Sequence, residues 1–121
     1  MTLDALRDHC LARPGATEEL PFGPDALVFK VRGKMFALTN LERLPRTVAF
    51  KGDPNDNLDL RARYVVRGAF HMNKRHWNEV EIAGALPDAE LRALLDRSYA
   101  LVVAGLPRRD RDALAPNPGA G

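Results

Sequence analysis

Ala26-Leu27-Val28-Phe29-Lys30-Val31-Arg32-Gly33-Lys34-Met35-Phe36-Ala37-Leu38-Thr39-Asn40 decides the fold. Two β-rich runs, 26–32 and 35–40, are joined by Gly33-Lys34. Glycine at the first central position suits a type II′ hairpin turn. Pairing across that turn sets Phe29 opposite Leu38 and Val31 opposite Phe36, with Leu27 on the same apolar face. The other face carries Val28, Lys30, Arg32, Met35 and Thr39. A slip of one residue would move every side chain to the wrong face, so the pattern specifies its own register.

Upstream, Thr2 caps a first helix and Asp4 sits in its first turn, where the helix dipole favours an acid. Leu3, Leu6 and Cys10 form one apolar stripe, and Arg13-Pro14-Gly15 stops the helix. Thr17–Phe22 reads as a short edge strand. Downstream, Thr47–Lys51 is a strand with Val48 and Phe50 on one face. Asp53 and Pro54 open a second helix that ends near Tyr64 and exposes Arg61 and Arg63. Asn73–Ile82 alternates as a strand: His76, Asn78, Val80 and Ile82 face one way, Asn73, Arg75 and Trp77 the other.

The last helix is the strongest. Pro87, Asp88 and Glu90 mark its start. Leu91, Leu94, Leu95, Ser98, Leu101, Val102 and Gly105 then follow helical spacing. Ser98 interrupts the stripe, and its hydroxyl is expected to bond the carbonyl four residues back. The predicted core joins Phe29, Val31, Phe36 and Leu38 to Leu94 and Leu101. Strands joined by short turns are antiparallel, and two apolar-striped helices need a sheet to cover. The expected fold is therefore α+β: a two-layer sandwich of a five- or six-stranded antiparallel sheet and helices, in the order α-β(3–4)-α-β(2)-α. Residues 1–106 make one domain, and 107–121 read as a charged, Pro/Gly-rich tail.

Composition agrees with a single globular domain: 121 residues, 45% hydrophobic and 28% charged. The longest apolar run, Tyr99–Ala104, falls far short of the roughly 20 residues of a membrane span. Met1-Thr2-Leu3-Asp4 does not begin a signal peptide, so the expected location is the cytoplasm. A lone Cys10 makes no internal disulfide and reads as a small buried hydrophobe in a reducing compartment. His71 and His76, five apart, fall on opposite strand faces, so no metal site is expected. The sequence contains no phosphate-cradling loop and no catalytic constellation. Neither an enzyme nor a cofactor is expected.

Charge is distributed unevenly. From Leu60 to Asn78 there are five cations and no acid, in a chain whose formal net charge is only +2. Arg61, Arg63, Arg67, Lys74 and Arg75, with His76 and Trp77, are the candidate phosphate-tracking surface, since cations replace condensed counterions and an aromatic can stack on a base. The alternative is a solvated basic face around a core tryptophan, because indole buries so much area. A third reading is a protein-interaction module that docks another protein or a second copy through the open sheet face bearing Val28, Met35, Ala37 and Thr39.

Phe29-Lys30-Val31 with Gly33-Lys34-Met35-Phe36, His71-Met72-Asn73-Lys74-Arg75-His76-Trp77 with Val80, and Leu86-Pro87-Asp88 through Ser98-Tyr99 and Val102 resemble the MmcQ/YjbR family of small bacterial proteins. The resemblance runs from about Leu3 to Leu106. It implies an α-β-α sandwich on a five- or six-stranded antiparallel sheet, similar to secretion chaperones and frataxin-like proteins. It also implies the family's customary description as DNA-binding proteins. The expectation drawn from it is weak, largely sequence-nonspecific DNA binding through residues 60–78, without catalysis.

Overall fold

A computed structural model describes residues 1–63, 66–69 and 72–114, with the Arg63 side chain excepted. The element order is α1 (Leu3–Leu11), β1 (Ala16–Glu19), β2 (Ala26–Val31), β3 (Lys34–Asn40), β4 (Thr47–Lys51), α2 (Pro54–Arg63), β5 (Arg67–Gly68), β6 (Trp77–Glu81), α3 (Asp88–Ala104) and α4 (Arg108–Leu114). The six strands form one sheet in the order β1-β2-β3-β4-β6-β5, and every neighbouring pair is antiparallel. The described helices pack on one face, so the sandwich has two layers, as expected.

Local chemistry explains the helix starts. Thr2 accepts a hydrogen bond from the Ala5 N–H at 3.1 Å, and Asp53 accepts one from Asn55 at 2.9 Å. The core is a single cluster. Leu6 and Cys10 of α1 and Leu91, Leu94, Leu95 and Val102 of α3 close on Phe29, Val31, Phe36, Val48, Phe50 and Val80 of the sheet. Each fully buried side chain of this size contributes about 1.5–3 kcal/mol.

The central hairpin departs from its predicted register. Its turn residues are Arg32 and Gly33, with φ of 49° and 80°. Positive φ at both positions marks a type I′ turn, not the expected type II′. Val31 therefore pairs with Lys34 and Lys30 with Met35, but Phe29 pairs with Ala37 and Val28 with Leu38. Phe36 is left as the extra residue of a β-bulge and still enters the core. Beyond it the face assignment reverses. Ala37, expected on the open side, is buried in the core, while Leu38, expected inside, turns to the open face. Leu101 is a second correction. It is 38% exposed and lines a cleft between α2 and α3 rather than the core.

The segment read as a tail contains α4. Arg32 donates to Asp110 Oδ1 at 2.8 and 3.1 Å, holding α4 over the hairpin turn. The Leu114 side chain reaches Gly15, whose φ is 71°, in space that any β-carbon at position 15 would occupy.

Candidate functional site

The β5–β6 end of the sheet is held by a buried polar network. Asn57 of α2 and Asn78 of β6 are 1% and 0% exposed. The Asn78 amide donates to Asn57 Oδ1, and Asn57 donates to the carbonyls of Gly52 at 3.2 Å and Arg75 at 3.0 Å. Arg61 completes the network. Its Nε donates to Asn78 Oδ1 at 2.8 Å, and its terminal nitrogen to the carbonyls of Lys74 and Trp77. A buried polar group without a partner costs about 1–3 kcal/mol, so a fully satisfied network fixes the geometry of the chain it ties. Here it fixes residues 73–77. Those residues turn rather than run as strand: β6 begins only at Trp77, and the Asn73 side chain accepts from the Arg75 N–H at 3.0 Å.

This arrangement separates the sequence-predicted cations by role. Arg61 is committed to main-chain carbonyls and Asn78, so it builds the turn. The Arg63 side chain lies outside the described residues, as do Phe70 and His71. Lys74 and Arg75 are exposed on the turn, and His76 is half-buried beside them. Arg67, on β5, pairs with Glu79 of β6 at 2.8 Å on the open face. Gly68, the next residue, is in register with Asn78 and so faces the helices; the Lys74 stem lies across it. The basic side chains therefore straddle the β5 edge, with Arg67 on one side and Lys74 on the other.

Trp77 is neither a core anchor nor fully exposed. It lies on the open face, in an open cleft of about 470 Å³, with Met35, Leu38, Ala49, Met72 and Glu79 among the lining. Glu79 is 7% exposed and lies against Arg67, Arg43 and Thr47, so its charge is compensated. Reading the sequence for charge alone misses this cleft and Glu79. The available signal is strand alternation, which places Glu79 on the face of Trp77.

No group of three His, Cys, Asp or Glu side chains is placed to hold a metal among the described residues. Cys10 is buried, and burial pushes its thiol up to about 12. A thiol so raised is inert at neutral pH. No helix among the described residues is long and apolar enough to cross a membrane.

A model of the YjbR family matches residues 11–101. The chain belongs to the YjbR family. Two Escherichia coli relatives carry the same relationship. YjbR of strain K12 is 34% identical over 115 residues, covering 94% of this chain and 98% of its own. YbdF of strain O157:H7 is 38% identical over 97 residues, covering 79% and 80%. The crystal structure of a Deinococcus radiodurans protein with a DUF419 domain superimposes with a TM-score of 0.87 at 35% identity, covering 93% of this chain and 87% of that one. A Pseudomonas syringae protein superimposes at 0.74 with 25% identity, covering 84% and 98%. The YjbR match spans the hairpin, the 73–77 turn, the cleft and most of α3. The site described above thus belongs to the part of the chain that carries the family relationship.

Proposed function

We propose that this YjbR-family protein is a cytoplasmic binding module, not an enzyme, that associates weakly and with little sequence preference with DNA. The observation that carries the reading is the built turn at residues 73–77. Three side chains and several carbonyls are spent on fixing it, and it presents Lys74 and Arg75 to solvent at a sheet edge that also bears Arg67. Cations held at an edge can approach the phosphates of a nucleic acid from outside. Three such contacts give modest affinity that falls steeply with salt, with a log–log slope of about −2 to −3. Sequence reading stays minor, since these three cations would meet phosphates rather than base edges.

Fluorescence anisotropy across a salt series tests this. Replacing Lys74 and Arg75 with Ala is expected to weaken all sequences alike and to flatten the slope by roughly 2. No binding at about 50 mM salt, where phosphate contacts are strongest, overturns the reading.

A second reading has its own observation. Phe22 and Leu44 are 73% and 77% exposed, and Phe22 stands at the rim of the open-face cleft. An exposed aromatic at the rim of a cleft suits a protein partner or a second copy. Sedimentation velocity decides between them: a strict monomer at high concentration removes self-association.

A further inference from the structure

The open-face cleft has a polar character of its own. Asn40 and Asn73 both line it. Asn40 Oδ1 already accepts from the main-chain N–H groups of Glu42 at 2.9 Å and Arg43 at 3.1 Å. Asn73 Oδ1 accepts from Arg75. Each carboxamide is thereby oriented, and the amide left over is a donor. Glu79, the one acid in the lining, has its oxygens taken by Arg67 and Thr47. The two carboxamides thus keep their N–H groups as donors, and Asn73 Oδ1 keeps one lone pair, beside an indole and two thioethers. The volume of about 470 Å³ lies within the usual range for small-ligand sites, about 300–1,000 Å³.

We infer that this cleft takes one unpaired, carbonyl-bearing nucleobase, thymine or uracil, laid against Trp77 and the thioethers of Met35 and Met72. Aromatic side chains stack bases of any identity, whereas the donors select among them. Thymine and uracil present O4 and O2 as acceptors on either side of N3–H, which matches two amide donors and the lone pair left on Asn73 Oδ1; adenine, cytosine and guanine each place an exocyclic amine donor on that edge. A base in a duplex is stacked and paired, so the site favours a single strand. Lys74, Arg75 and Arg67 lie on the adjoining sheet edge, where the phosphates of the same strand would run. The inference rests on the nucleic-acid reading above and adds the strand type and the base.

The full chain is titrated with dT and dA strands of about 12 nucleotides, a duplex of equal length and thymidine monophosphate, reading anisotropy together with emission from the single tryptophan. Expected are quenching of Trp77 by the dT strand, little quenching by the duplex, and about fivefold tighter binding of dT than of dA. Trp77→Leu is expected to lose about tenfold in strand affinity while leaving the salt slope unchanged, because it touches no phosphate contact. A cooperative thermal transition confirms that this variant folds. Asn40→Asp and Asn73→Asp keep the acceptor oxygen and remove the donor. Their added charge weakens both strands, whereas loss of the base contact brings the dT to dA ratio to about 1.

Salt-dependent binding with equal affinity for strand and duplex and with unchanged Trp77 emission overturns the base site and leaves the nucleic-acid reading standing. No salt-dependent binding to any of them overturns both. Quenching by the monophosphate equal to that by the strand, at equal nucleotide concentration, supports the base site and overturns the strand as its source.

Discussion

The Ser98 hydroxyl stands between two strands. It donates to the Phe36 carbonyl at 2.6 Å and accepts from the Lys51 N–H at 2.8 Å. The β3–β4 ladder runs through Leu38–Ala49 and Ala37–Phe50, so Phe36 and Lys51 are the next pair along it. The β3–β4 ladder stops short of that pair, and a serine from α3 bridges it instead. This replaces the expected bond to the preceding helical turn.

Ser98→Ala leaves a buried carbonyl and its opposing N–H without partners. It is expected to cost about 1–3 kcal/mol, read from the urea midpoint at unchanged m. An effect near zero would mean that the strands close the gap themselves.

Arg61 and the Lys74/Arg75 pair are expected to behave oppositely. Arg61→Ala removes donors from two carbonyls and from Asn78, and should lower thermal stability and loosen the 73–77 turn. Replacing Lys74 and Arg75 should leave the melting temperature nearly unchanged, since exposed side chains contribute within about 0.5 kcal/mol. Calorimetry on the two variants is the check.

The helix α3 positions divide in the same way. Leu94 is 6% exposed and faces the core. Leu94→Ala is expected to cost about 2–5 kcal/mol. Leu101→Ala, at a cleft wall, should cost about 1 kcal/mol or less. Equal losses would place Leu101 in the core after all.

Cys10 gives a pH dependence with a definite sign. Burial raises its thiol to about 12 in the folded chain, against about 8.5 in an unfolded one. The folded state then holds a proton that the unfolded state releases, so stability present below about pH 8.5 is lost as pH rises toward the folded value. The slope above that pH should diminish in Cys10→Ala. In the native wild type, a disulfide reagent should modify Cys10 only as fast as the chain opens.

Much of the fold was legible because the patterning is strong. The α3 stripe apart from Leu101, the α1 cap and the Asp53-Pro54 start stand as read. The hairpin register was not, and the reason is local. Arg32 adopts positive φ, which a non-glycine residue rarely does, and Met35-Phe36 places two large apolar residues side by side. That pair is the visible mark of a bulge; strict alternation read through it and sent Leu38 inside. The basic stretch was legible as charge but not as geometry. Composition cannot distinguish Arg61, whose guanidinium binds main-chain carbonyls, from Lys74 and Arg75, which face water. That distinction depends on Asn57, a residue that nothing in the linear pattern marks.

Gly15 and Leu114 lie almost a full chain length apart, yet the last helix rests on an atom that position 15 lacks. Any other residue there fills the seat and carries a conformational penalty as well, since φ at that position is positive. Gly15→Ala should therefore unseat α4 and strand Asp110 away from Arg32, while the sheet stays whole. The C-terminal helix would then be the part of this protein that a protease finds first, and one methyl group, placed near the other end of the chain, would be enough to offer it.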